Sequence, residues 1–284
     1  MGVFKSVIEF LKGVNHAEGT EKRVSGRDGC ERRILHSFPS IREQIISDIG
    51  GIRMLASTCA AERSGNPREM PPDPVCRESC ALIAAAKKTG CLISPDEIPG
   101  TRYTIRTGES EVRIVQKDRV YYKIKNPFAK LHLKKHSAEY VLFEHVVHNA
   151  FFPDCRLDFI GIAEDLHEAR LVYRQKAIRA DARPDDRQIA ESLSLLGLLP
   201  DGRYSFGNDF VFVTDVGQDG DNVLLDDDNN LRFIDPIIGF KQPLQDCLAE
   251  VLSPDFDVDG FVSGIFDLSG ARDASMTENM VKQV

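Results

Sequence analysis

No stretch of the 284-residue chain is apolar for anything near the roughly 18 residues that a membrane-spanning helix needs; the longest runs, such as Ala81 to Ala86, are short. The first residues, Met1 to Gly13, mix charge with apolar side chains and lack the core and cleavage site of a secretion signal. Seven cysteines, an odd number and scattered, do not make a disulfide framework. Together these absences place the protein in the cytoplasm with reduced thiols, and leave no membrane partner. An excess of positive charge is also missing. The net charge is −8, which argues against a nucleic-acid binder reading phosphates through a basic face. No internal repeat is visible, and no G-x-S-x-G or H-E-x-x-H pattern marks a hydrolase or zinc protease.

What is present is ordinary globular usage, 42% hydrophobic and 28% charged, over a length that allows two modest domains or one elaborated fold. The acid is unevenly placed: residues 201–284 hold 17 Asp and Glu against 5 Lys and Arg. Residues 1–97 read as a helical N-terminal region. Ser40, after Pro39, caps a predicted helix with Ile41, Ile45, Ile46 and Ile49 at helical spacing, ended by Gly50-Gly51. A second helix is predicted over Cys76 to Thr89, separated from the first by a loop dense in proline and glycine.

From Arg102 the apolar period changes to two. Tyr103 and Ile105, then Val112 and Ile114, then Val120, Tyr122 and Ile124 predict three consecutive strands, the last two joined by the turn Lys117-Asp118-Arg119. Ser137 caps a helix that runs through Tyr140, Phe143 and Val147 toward Ala150, with Glu139 in its first turn. Two strands follow, at Asp158 to Ile162 and Leu171 to Ile178, then a helix opened by Asp185 and stopped at Gly197. A hairpin closes the series: Asn222 to Leu225 and Leu231 to Ile234 flank Asp226 to Asn230, whose aspartates read as a solvated turn. Three strands, a helix, two strands, helices and a short hairpin is the order of a protein-kinase-like fold.

Phosphoryl transfer on such a fold needs a lid over the phosphates, a strand lysine, a glutamate that positions it, and oxygen ligands for magnesium. Gly108 to Val112 lies between the first two strands, where backbone amides and Ser110 would cover phosphate oxygens; with one glycine in place of G-x-G-x-x-G, it also reads as a plain hairpin turn. Lys123, in Val120-Tyr121-Tyr122-Lys123, points opposite to Tyr122 and Ile124 and shares its face with Lys125. Its partner is Glu139 or Glu144, which are five residues apart and so do not share a helix face. Asn222 and Asp235, 13 residues apart, are brought together when the last two strands pair, which sets an amide oxygen beside a carboxylate where a divalent cation would bridge triphosphate oxygens. Asp235 directly follows the apolar run Leu231 to Ile234, where an unpaired charge is costly.

These stretches, with Ala138-Glu139-Tyr140, His148 to Asp154, Gln175-Lys176-Ala177-Ile178 and Ile234 to Ile238, resemble in order the serine/threonine/tyrosine-kinase-like domain of polyvalent proteins, found in phages and mobile elements of bacteria. The resemblance covers residues 98–240. It implies an α+β, two-lobed fold after the N-terminal helices: residues 98–178 as a small antiparallel-sheet lobe and hinge, and 179–284 as a compact, mainly helical lobe. It further implies a kinase-like phosphotransferase using ATP and magnesium, with a protein or small-molecule acceptor. In that reading Gly108, Ser110 and Val112 lie over the nucleotide, Lys123 holds its phosphates with Glu139 as ion-pair partner, Gln175 and Ala177 form the hinge, and Asn222 and Asp235 hold the metal.

Three departures bear on activity. In the general kinase pattern H-R-D-x-x-x-x-N the base lies five positions before the asparagine, which here is Gly217; Asp215 stands seven before and Asp219 three before, and Asp215 is taken as the base on the assumption of a two-residue insertion. Asp235 is followed by Pro-Ile, with no A-P-E segment after it. About 44 residues follow Phe240, too few for a full helical lobe of the eukaryotic kind. The alternative is therefore an inactive pseudokinase that binds nucleotide or protein, its N-terminal helices offering a partner surface. Cys76, Cys80 and Cys91 lack zinc spacing, His145 and His148 read as structural, and the Met1-Gly2 myristoylation pattern is set aside.

Overall fold

The computed structural model describes residues 27–64, 73–102, 110–129, 138–202, 205–217 and 222–241, with 253, 255–257 and 260; the side chains of 27–42, 102 and 181 are excepted. Helix α1 (Arg27–Arg63) runs through Pro39 and through Gly50-Gly51, where a start and a stop were expected. The reason is tertiary. Ile45, Ile49, Ile52, Leu55 and Cys59 form one buried stripe that continues across the glycine pair and packs on the next two helices. Burying that stripe outweighs the roughly 1 kcal/mol that each glycine costs in a helix.

Helix α2 (Pro74–Thr89) matches its sequence signals. Asp73 accepts a hydrogen bond from the Cys76 N–H, proline occupies the first turn, and Gly90 ends the helix with φ 73°. Its buried face is built of small and aliphatic residues, Ala81, Leu82, Ile83, Ala85 and Ala86.

The chain then enters a six-stranded sheet of β1 (Leu92–Ile93), β2 (Thr101–Arg102), β3 (Ser110–Val115), β4 (Val120–Lys125), β5 (Leu157–Asp165) and β6 (Glu168–Lys176), in the order β1-β5-β6-β4-β3-β2. The sheet is mixed: β1 pairs parallel to β5 and the other pairs are antiparallel. Gly161, at an irregularity in β5, has Cβ-free space where a methyl would lie 2.3 Å from the Cys91 carbonyl, which lets β1 come close. The predicted first strand at Tyr103 and Ile105, like Gly108, lies outside the described residues.

Helix α3 (Ala138–Phe151) crosses one face of the sheet and is buried over almost its whole length. Tyr140 and Phe143 pack on Phe240 with ring centroids 5.2 and 5.3 Å apart. The core that results is continuous from Ile45 in α1 to Phe240. A smaller cluster, Ile98, Ile124, Ala163 and Val172, covers the opposite face of the sheet.

After β6 the expectation of a mainly helical region is not met by the described residues. Residues 179–241 hold one α-helix, α4 (Asp186–Leu195), and seven short strands. Strands β8 (Leu199–Pro200), β9 (Ser205–Gly207), β10 (Val211–Thr214) and β13 (Ile237–Phe240) form one sheet; β7 (Ala180–Ala182), β11 (Val223–Asp226) and β12 (Leu231–Phe233) form another. Strands of two to four residues carry too little periodic signal to be read locally. α4 is capped by Asp185 with a reciprocal bond from Gln188. The β11–β12 hairpin pairs Val223 with Phe233, and its turn is more ordered than a solvated loop: Asp226 accepts from the Asp228 and Asn230 N–H groups and pairs with Arg232. Among the described residues no helix is long and apolar enough to cross a membrane.

Candidate functional site

β4 supplies the cations. Its register sets Lys123 between Val112 of β3 and Tyr173 of β6, and Lys125 between Ser110 and Leu171. Directly paired residues share a face, so Ser110, Val112, Lys123 and Lys125 all lie on the side opposite to Tyr122, Ile124 and Val172. Lys123 is 8% exposed.

The β11–β12 hairpin supplies the anion. The Ile234 N–H donates to the Asn222 carbonyl at 2.8 Å, which fixes Asn222 beside the residue preceding Asp235. Lys123 Nζ lies 3.1 Å and Lys125 Nζ 3.3 Å from the same oxygen, Asp235 Oδ1. Lys123 also donates to the Ile234 carbonyl at 3.0 Å, and Gln175 Nε2 donates to that carbonyl at 3.2 Å and to the Cys155 carbonyl at 2.7 Å. Burial by itself would raise the Asp235 pKa; the Lys125 and Lys123 charges overcome it and hold the carboxyl well below the usual range. Burial acts the other way on Lys123, lowering its pKa against the pull of Asp235. The Asp235 side chain remains 43% exposed, so the group opens to solvent on its far side.

Asn222 is joined to the residue expected to act as base. Its Nδ2 donates to Asp215 Oδ2 at 2.6 Å and to the Asp215 carbonyl at 3.0 Å, and Asp215 sits at φ 60°, in the left-handed region. The competing acid, Asp219, lies outside the described residues.

Glu139 is not beside Lys123. It is buried under the N-terminal helices, where Arg63 of α1 holds its Oε1 at 2.7 Å and also binds Glu78 of α2. Nothing local in the sequence announces Arg63, because its position depends on α1 running past the glycine pair. Of the two glutamates left open by spacing, Glu144 is the one that senses Lys125: burial pushes its pKa up to about 8, with Lys125 pulling it down and Asp235 pushing it further up. Lys125 and Glu144 are the site members that sequence reasoning weighed and did not assign.

Gln175 is a buried member of β6 that braces the Ile234 carbonyl, and the Ala177 N–H is donated to the Arg119 carbonyl at 2.7 Å. His145 and His148 are buried and packed on Tyr173 and Phe152. Cys76 and Cys80 are exposed and Cys91 is buried; among the described residues no group of three or more His, Cys, Asp or Glu is arranged to hold a metal.

Two ammonium groups and a carboxylate thus meet on one face of the sheet, and the Asn222–Asp215 pair is tied to them through the hairpin backbone at Ile234. Ammonium groups so placed attract phosphate oxygens, and Asn and Asp oxygens suit a hard divalent cation. The model of a family described as the serine/threonine/tyrosine kinase found in polyvalent proteins matches residues 76–242, from the first turn of α2 to just beyond β13. No curated protein and no solved structure matches the chain.

Proposed function

Because the chain belongs to the serine/threonine/tyrosine kinases found in polyvalent proteins, we propose that it transfers the γ-phosphoryl group of ATP, with magnesium, to a hydroxyl of a protein acceptor. The observation that carries this reading is the meeting of Lys123 from β4 with Asp235 from the end of the β11–β12 hairpin, with Asn222 anchored next to it. Lys123 and Lys125 receive phosphate oxygens. Asp215 accepts the proton of the acceptor hydroxyl, positioned by its bonds from Asn222.

The donor set fits magnesium in kind. Both lysines meet Oδ1 of Asp235, whose side chain stays 43% exposed, and Asn222 commits its nitrogen to Asp215, which leaves its amide oxygen. Asp235 and Asn222 would hold the ion, and its charge would offset that of the phosphates during transfer. Glu144, the other glutamate that spacing offered, lies within electrostatic reach of Lys125 but keeps its proton near neutral pH, so it gives the lysines no ion pair. Glu139 then braces α3 against α1 and α2.

A second reading is a nucleotide-binding pseudokinase; it is favoured by the commitment of Glu139 to Arg63 and by the irregular spacing before Asn222. Thermal unfolding with and without Mg-ATP, on wild type, Lys123→Ala and Asp235→Ala, separates these. A ligand at 100 times its Kd stabilises the native state by about 2.7 kcal/mol, so the wild type is expected to shift upward and both variants to lose the shift. Transfer of label from γ-labelled ATP to the protein itself or to a general acceptor protein is then expected. Binding without transfer selects the pseudokinase, and absence of a wild-type shift rejects nucleotide binding.

A further inference from the structure

Beyond Lys123, the same face of β4 carries Tyr121. It pairs with Ile114 of β3 and with Gln175 of β6, two residues along from the row of Val112, Lys123 and Tyr173. Directly paired residues share a face, so Val112, Ile114 and Tyr121 stand together beside Lys123. All three are partly exposed, and neither core cluster takes them in. Tyr122 shows the contrast: on the opposite face, it packs against the cluster of Ile98, Ile124, Ala163 and Val172. Among the described residues the Tyr121 ring meets no other ring.

The lysine face is therefore graded along β4. Lys125 and Lys123 set two ammonium groups at one end, where phosphate oxygens are attracted, and the other end is apolar and aromatic. Gln175, across from Tyr121, spends the two N–H groups of its amide on the Ile234 and Cys155 carbonyls. Lys123 reaches the same Ile234 carbonyl, so the aromatic end begins where the Lys123–Asp235 group stops. A nucleotide is graded in the same way: charged phosphates, one ribose, then a planar base. One two-residue strand step, about 6.6 Å, separates Lys123 from Tyr121, a span that one ribose fills. An aromatic side chain at that point is a stacking surface, and stacking serves any base because each has a π-face.

We infer that Tyr121 is the base-binding residue of this site: with the phosphates on Lys123 and Lys125, the base stacks on the Tyr121 ring and lies against Val112 and Ile114. The inference rests on the phosphotransferase reading and adds to it the contact that holds the nucleoside. The Tyr121 hydroxyl has no part in it; the ring face does.

Calorimetric titration of the full chain with Mg-ATP and with Mg-tripolyphosphate, which carries the phosphates without a base, tests this. Both ligands are expected to bind the wild type, and Lys123→Ala is expected to weaken both. Tyr121→Leu is expected to weaken ATP roughly tenfold, the loss of one base–aromatic stack, and to leave tripolyphosphate unchanged. Tyr121→Phe keeps the ring and is expected to bind ATP within about twofold of the wild type. Unchanged tripolyphosphate binding also shows that the leucine variant is folded. ATP binding that Lys123→Ala abolishes and Tyr121→Leu leaves equal or tighter would overturn the inference and spare the phosphotransferase reading. Equal weakening of both ligands by Tyr121→Leu would overturn it too, since no base contact would then have been lost. A wild type that binds no ATP would remove the reading itself, and the inference with it.

Discussion

Glu144 keeps its proton near neutral pH because burying the carboxylate costs more than Lys125 returns, and its pKa is pushed up to about 8. An acid whose folded pKa lies above its unfolded one loses stability as pH rises through that window. Two histidines act in the opposite range. Burial lowers His148 to about 4 and His145 well below its usual value, so their contribution is present above about 6.5 and is lost as pH falls. Asp235, held low by its lysines once their charges overcome burial, loses its contribution only below the ordinary carboxylate range. Between pH 6.5 and 8 Glu144 is therefore the group among these that sets the slope. Glu144→Gln is expected to remove a decline of about 2 kcal/mol over that interval. Urea unfolding at both pH values checks this; an unchanged slope would place the titration elsewhere.

At the scale of elements, one side chain ties three helices. Arg63, in the last turn of α1, reaches Glu78 of α2 and Glu139 of α3. The Glu139 side chain is 7% exposed, and its other oxygen has no partner among the described residues. Removing the guanidinium leaves a buried carboxylate uncompensated, so Arg63→Ala is expected to cost about 3 kcal/mol. Adding Glu139→Leu should recover much of it, since the unpaired charge goes with it. A double-mutant cycle by chemical denaturation measures the coupling. Independent, additive losses would show the pair to be incidental.

For the whole molecule, the question is where the folding unit begins. The family match starts at residue 76, inside α2, yet α1 contributes Ile45, Ile49, Ile52, Leu55 and Cys59 to the same core as α3 and β13. Four large aliphatic side chains at about 2 kcal/mol each come to roughly 8 kcal/mol, comparable with the stability of an entire domain. A chain starting at residue 73 is thus expected to bind a hydrophobic dye and to lose cooperative thermal unfolding. A truncated chain that melts cooperatively within a few degrees of the full one would make α1 an appendage.

Much of this architecture was legible in local pattern. The period-two runs placed β3 and β4 and turned Lys123 and Lys125 to one face; Asp185 and the breakers around α2 marked helix ends; the spacing of Asn222 and Asp235 announced a hairpin with both at one end. Such features depend on backbone periodicity, capping and turn chemistry, which act over a few residues. What the sequence could not determine rests on burial between distant segments. Whether α1 passes its glycines depends on the stripe it covers, and so does the choice of Arg63 for Glu139. Gln175 and Ala177 read as a hinge, and the carbonyls that accept their hydrogen bonds, of Cys155, Ile234 and Arg119, come from segments that only the tertiary structure brings near. The short strands after β6 exist through partners up to dozens of residues away. Local chemistry thus chose which groups were offered, while tertiary packing, by setting the cost of each unpaired charge and each exposed apolar face, decided which groups met.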